Sequence, residues 1–237
     1  MACQTQASGC KGRLNLPNMP NILFSTAEFY GVFSAYNAAV WPMQLPLMAL
    51  GVLAVVLLVR QRGYLSVDIS AILTILWAWQ ALAYYLAFFT AINPLAYGFA
   101  ALFVGGAAVF CWQGVVRRKL IFKPPSGWRM QAGWGLLIFA WFIYPAWTYL
   151  AGHRYPAVPT FGLPCPTTIF TIGLLAFLVA PYPRSPLFVP VLWCFVSSQA
   201  AFLFNVPPDL GLVVAGGVGI VLLVRSKATA ARPDGIA

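Results

Sequence analysis

Long apolar runs broken by short polar clusters make up most of this chain. They lie at about 42–59, 67–89, 94–116, 129–151, 165–180, 186–204 and 208–224. Crossing a hydrocarbon core of about 30 Å takes roughly 17–25 residues, which each run approaches, the fifth only narrowly. The pattern predicts seven transmembrane helices. Ordinary helix signals mark several starts: proline stands in the first turn at Asn93-Pro94 and at Pro207-Pro208-Asp209, and Ser66 can cap the second span. Ahead of the runs, Phe29, Val32, Phe33, Tyr36 and Val40 recur at helical spacing and share one face. Ser25 and Glu28 have the spacing of a capping box. Residues 25–40 therefore read as an amphipathic helix in the membrane interface, leading into the first span.

Composition sharpens this into a class. Apolar residues make up 61% of the 237 positions and charged residues 8%. A chain this poor in charge cannot cover a water-facing surface. It reads as an all-α integral membrane protein: a tail over residues 1–24, a membrane domain over 25–224 and a second tail over 225–237. Residues 1–20 carry no apolar signal-peptide region, so the first span is expected to direct insertion. Cys3 and Cys10 in the tail read either as a small disulfide loop or as free thiols, and Met19 is an alternative start.

The formal charge of +10 comes from clusters beside the apolar runs. That is the footprint of membrane orientation, so the bilayer is the expected partner and nucleic acid is not. Other membrane subunits remain open as partners. With seven spans, eleven of the 14 basic residues share one side: Arg60, Arg62, Arg117, Arg118, Lys119, Lys123, Arg129, Arg184, Arg225, Lys227 and Arg232. Lys11, Arg13 and Arg154 take the other. The bias predicts an N-out, C-in protein of the cell's inner (plasma) membrane.

Sorted by that topology, Asn37, Asn93, His153, Arg154, Cys165, Thr167, Thr168 and Asp209 all fall toward the outer face. They are the candidate ligand-binding residues, and a site built from them would open outward. No charged residue lies in the middle of a span, which disfavours a proton pump or a voltage sensor. No lysine lies within a span, so a retinal Schiff base is excluded. One histidine cannot supply two axial ligands to a haem. No cofactor is expected, and Cys165 is the only metal candidate.

Each candidate carries two readings. Cys165 stands between Pro164 and Pro166 at a helix start, where the dipole favours thiolate. It reads as a soft-metal or redox thiol, or as a small residue packed at a tight turn. His153 and Arg154 can approach Cys165 across the loop or bind an anion; alternatively they snorkel at the headgroups. Asp209 can pair with Arg154 or compensate the dipole of the last helix. The aromatics Trp77, Trp79, Tyr84, Tyr85, Trp134, Trp141, Tyr144 and Trp147 read as belt and packing residues, with a hydrophobic ligand pocket as the lesser reading. Pro145 should kink the fourth span. Gly211, Ala215 and Gly219 predict close packing of the last.

The runs Gly152-His153-Arg154-Tyr155-Pro156, Pro159-Thr160-Phe161-Gly162 and Pro164-Cys165-Pro166-Thr167-Thr168-Ile169-Phe170-Thr171 resemble a bacterial family of multi-pass membrane proteins known only as a domain of unknown function. Ala35-Tyr36-Asn37 with Trp41-Pro42, Phe89 to Pro94, and Val206 to Gly211 extend the resemblance to about residues 24–224. It implies a helical membrane fold and no activity. Three functions stay in view: small-solute or ion binding and transport at an outward site, a non-catalytic accessory subunit of a larger membrane complex, and a membrane enzyme or redox centre using Cys165. The scarcity of catalytic groups argues against the last.

Overall fold

The first helix begins where its capping signal predicts. In the computed structural model, which describes residues 24–60 and 65–226, the Glu28 N–H donates to Ser25 Oγ at 3.2 Å. The Ser25 N–H donates in return to Glu28 Oε2 at 2.7 Å. Helix α1 (Thr26–Val40) buries Phe29, Val32, Phe33, Tyr36 and Asn37, while Val40 is half-buried. It meets α2 (Gln44–Arg60) at 90° and lies across the end of the helices that follow. Cys3, Cys10, Lys11, Arg13, Met19, Arg62, Lys227 and Arg232 are outside the described residues.

Three helices contain π-helical turns. Helix α3 (Leu65–Trp79) runs on as a π-helix over Gln80–Leu86, and α4 (Ala96–Phe110) over Cys111–Val116. Between α5 (Trp128–Ile138) and α6 (Tyr144–Leu150) lies a third, Phe139–Ile143. This one ends two residues before Pro145. Proline lacks the N–H that would bond the carbonyl four residues back, and the wider turn re-registers the ladder before it. Helix α7 (Pro164–Leu175) follows, then α8 (Ser185–Ser198), the short α9 (Ala200–Leu203) and α10 (Leu210–Arg225).

The passes alternate in direction, so the body has two chemically distinct ends. At one, Ser66 Oγ accepts the Phe122 N–H at 3.0 Å, and Arg129 donates to the carbonyls of Ala176 and Leu178. Arg184 Nε donates there to Ser226 Oγ at 2.7 Å, and the Arg225 guanidinium lies over the Trp128 ring. At the other end Phe89 packs on Phe24 and Phe29 of α1. The basic clusters gather at the first end and the candidate residues at the second.

Small residues set the approach of the helices. A Cβ on Gly106 would stand 2.6 Å from the Trp77 ring, and one on Gly114 would stand 2.2 Å from Ser70 Cβ. On α10, a Cβ on Gly211 would meet Phe139 at 2.3 Å and one on Gly219 would meet Val191 at 2.4 Å. The small-residue face of the last helix is thus closely packed, with Ala215 fully buried between them.

The count of spans differs from the sequence expectation. Four helical stretches are long and apolar enough to cross a membrane: Leu65–Ala91, Ala96–Val116, Ser185–Leu203 and Pro207–Arg225. A fifth is added if the bent α1–α2 pair is one broken span. Seven spans are not supported. The clearest reason is α7, whose 12 residues are all buried. At 1.5 Å per residue it is about 18 Å long, against about 30 Å of hydrocarbon. It is wrapped by α5, α8 and α10 rather than by lipid. The apolar residues 176–180, expected to finish it, leave the helix instead through a turn at Ala176 and Phe177, after which Leu178 bridges Phe122. The stretch Trp128–Leu150 is helical throughout but is diluted by Arg129, Gln131, Pro145 and its tryptophans. The N-out, C-in direction rests on the charge count alone.

Candidate functional site

The proline-rich loop between α6 and α7 is fastened to α1 through Asn37. Asn37, fully buried on α1, donates through Nδ2 to the carbonyls of Pro156 at 2.6 Å and Val158 at 2.8 Å. Its Oδ1 accepts from Gln44 Nε2 at 2.6 Å and from Thr160 Oγ1 at 2.9 Å. Both amide protons and both lone pairs are used, so Asn37 has nothing left for a ligand. The loop closes at Gly162, whose φ of +98° suits glycine. The Gly162 N–H donates to Thr167 Oγ1 at 3.0 Å. Thr171 Oγ1 accepts from Trp77 Nε1 at 3.1 Å and donates to the Thr167 carbonyl at 2.7 Å. The Thr168 hydroxyl is buried with no partner.

His153 and Arg154 do not converge on Cys165. The His153 ring stacks on Tyr30 with centroids 4.2 Å apart. The Tyr30 hydroxyl lies 3.0 Å from His153 Nε2 and donates at 3.0 Å to the Asn205 carbonyl. A phenol has one proton, so Nε2 must carry the hydrogen that Tyr30 accepts. Arg154 is exposed. It donates to the Tyr149 carbonyl at 2.8 Å and sits 3.5 Å above the Tyr149 ring. The Arg154–Asp209 pair allowed by the sequence is not formed.

Asp209 goes inward instead. It is 1% exposed. Its Oδ1 accepts the Tyr144 hydroxyl at 2.6 Å, and its Oδ2 is buried without a partner. Cys165 lies beside this carboxyl, with its Sγ 3.1 Å from Ser197 Oγ. Tyr144, Asp209, Cys165 and Ser197 thus form one buried polar cluster from α6, α10, α7 and α8.

This cluster stands between two cavities. The larger, of about 530 Å³, lies under α1. Phe24, Phe29 and Phe33 form its roof, Tyr84, Tyr85, Phe89, Phe99 and Trp193 its sides, and Asn93, Cys165 and Ser197 supply polar atoms. Asn93 also starts α4, its Oδ1 accepting the Leu95 N–H at 2.9 Å. The smaller cavity, of about 300 Å³, is lined by Trp141, Tyr144, Thr148, His153, Thr160 and Pro166. Among the described residues no lysine, arginine, aspartate or glutamate lines either cavity.

Of the eight candidates, the structure therefore brings Asn93 and Cys165 to the larger cavity, with Asp209 behind Cys165. His153 faces the smaller one. Asn37 and Thr167 fasten the loop, Thr168 is buried in α7, and Arg154 stays at the surface. Tyr144 and Ser197 complete the cluster. The sequence marks Tyr144 only as an aromatic and assigns neither residue to a site, because their partners are 65 and 32 positions away. Cys165 has a hydroxyl beside it in place of an imidazole, so no cysteine–histidine couple is present. Among the described residues no three His, Cys, Asp or Glu side chains gather as a metal site.

No curated protein and no solved structure matches this chain. A family model described as a family of unknown function (DUF6064) matches residues 26–233. That stretch contains α1, the proline-rich loop, the polar cluster, the smaller cavity and every lining residue of the larger one except Phe24. The chain belongs to this family of unknown function, DUF6064.

Proposed function

We propose that the protein is a small-solute binding or transport protein of the plasma membrane. Its ligand has a largely apolar body and a hydrogen-bonding head, and it binds in the larger cavity under α1. The observation that carries this reading is the cavity itself. Its volume of about 530 Å³ suits a ligand of drug-like or smaller size. Its walls are mostly aromatic, and its polar atoms cluster where Asn93, Cys165 and Ser197 meet. Apolar walls with a few convergent polar groups are the usual build of a small-molecule site.

Transport is supported by the second cavity, since one layer of side chains around Tyr144 and Asp209 separates it from the first. The charge bias favours an outward opening, because the cavities lie at the end away from the basic clusters.

The test is saturable binding of radiolabelled decanol to the protein in nanodiscs, measured against empty nanodiscs. Ala200→Phe places a ring inside the cavity wall and should abolish the saturable component while leaving the fold intact. Binding that is equal with and without the protein, or unchanged in Ala200→Phe, rules the cavity out as the site.

A further inference from the structure

We propose that the ligand of the larger cavity is cationic: an ammonium on an apolar body, held against Cys165, Ser197 and the aromatic side walls, with the Asp209 carboxylate directly behind Cys165. This deepens the cavity reading above and rests on it.

The argument starts from an imbalance of charge. Asp209 is 1% exposed, and the Tyr144 hydroxyl serves only one of its oxygens; Oδ2 has no partner. A buried carboxylate is strongly disfavoured unless a cation compensates it. The protein supplies none among the described residues. No lysine or arginine lines either cavity. At this end of the body Arg154 is exposed and committed to Tyr149, and His153 is bonded to Tyr30. Among the described residues, no cation of this strongly basic chain reaches the buried carboxylate.

The side of the cavity nearest Asp209 is suited to supply what is missing. Cys165 and Ser197 form the wall in front of the carboxyl, and both accept hydrogen bonds from an ammonium. Tyr84, Tyr85 and Trp193 line the same cavity and are nearly fully buried. Desolvated aromatic faces attract cations through the ring quadrupole. An anionic ligand would be repelled by the carboxylate behind this wall, and a neutral one would leave its charge without a counterion.

Two probes of matched shape test this: phenylbutylamine, protonated at neutral pH, and phenylbutanol. Each is titrated by calorimetry against the protein in nanodiscs of zwitterionic lipid, with empty nanodiscs as background. The wild-type protein should bind the amine roughly tenfold or more tightly than the alcohol. Asp209→Asn should bring the two affinities to within about twofold by weakening the amine alone. Equal affinities in the wild type overturn the proposal without any variant, as does a preference that survives Asp209→Asn. If neither probe binds above background, the cavity reading fails and this proposal falls with it; if the alcohol binds and the amine gains nothing, only the cationic assignment fails.

Discussion

Tyr144 and Asp209, 65 positions apart in the chain, meet at 2.6 Å and tie α6 to the turn that starts α10. The bond satisfies one oxygen of a carboxyl whose other oxygen is unpartnered. Its energetics follow from what removal leaves behind. Tyr144→Phe keeps the ring and strands the whole carboxyl in a buried site. The expected loss of stability is about 1–3 kcal/mol. Combining Tyr144→Phe with Asp209→Leu removes donor and acceptor together, and should cost less than the sum of the single changes. Thermal unfolding of the four proteins in one detergent measures the coupling. Strict additivity would mean that the two groups do not interact.

Asn37 acts as a clamp, and its replacement should free the loop it holds. Asn37→Ala leaves the carbonyls of Pro156 and Val158 and the donors of Gln44 and Thr160 without their partner. A loss of about 2 kcal/mol or more is expected. Asn37→Asp should be worse, because it turns a carboxylate oxygen toward the two carbonyls. The readout is trypsin cleavage after Arg154, which is already exposed and sits in the clamped loop. Cleavage should accelerate in the order wild type, Asn37→Ala, Asn37→Asp. Equal rates would show that the loop holds without the clamp.

Two adjacent glycines on α4 make a controlled pair. A Cβ on Gly106 would stand 2.6 Å from Trp77, while Gly105 has open space. Trp77 cannot move aside easily. It is fully buried, stacked on Phe103 with centroids 4.6 Å apart, and bonded through Nε1 to Thr171. Gly106→Ala should therefore cost about 1–3 kcal/mol through overpacking. Gly105→Ala should be neutral, or stabilise by up to about 1 kcal/mol through helix propensity. Unfolding midpoints of the two variants in the same detergent decide the matter.

What the sequence revealed was mostly local or statistical. The Ser25–Glu28 cap and the buried face of α1 were legible because both depend on spacing within one helix. The separation of basic and polar ends was legible because each charge marks its own end. The status of α7 was not. A helix buried by other helices and a helix facing lipid are apolar in the same way, so Pro164–Leu175 read as part of a span although protein covers all of it. The partners of the site residues were hidden for a different reason. Twelve residues of separation made His153 the natural companion of Cys165. The fold joins His153 to Tyr30 across 123 positions and Cys165 to Ser197 across 32. Such pairings come from helix packing, which periodicity does not encode. Asn37 was assigned to a ligand, whereas three of its bonds go to the protein's own loop and the fourth to Gln44 of α2.

The roof of the larger cavity depends on the first turn of α1, and that turn is sensitive to acid. Phe24, Phe29 and Phe33 line the cavity, and Glu28 starts the helix that carries Phe29 and Phe33. Its carboxyl is held below the ordinary range, first by the Ser25 backbone N–H and then by the Ser25 hydroxyl. The sign follows directly. A lowered value in the folded state means that the charged carboxylate favours the capped turn. That contribution is complete above the ordinary carboxylate value of about 4.3 and fades as pH falls through the lowered one. Amide exchange over residues 26–30 should therefore be faster at acidic pH than at neutral pH, after correction for intrinsic rates. Glu28→Gln retains an acceptor for the Ser25 N–H but cannot ionise, so the pH difference should vanish in that variant. If the difference persists, an acid-sensitive group other than the cap controls the roof.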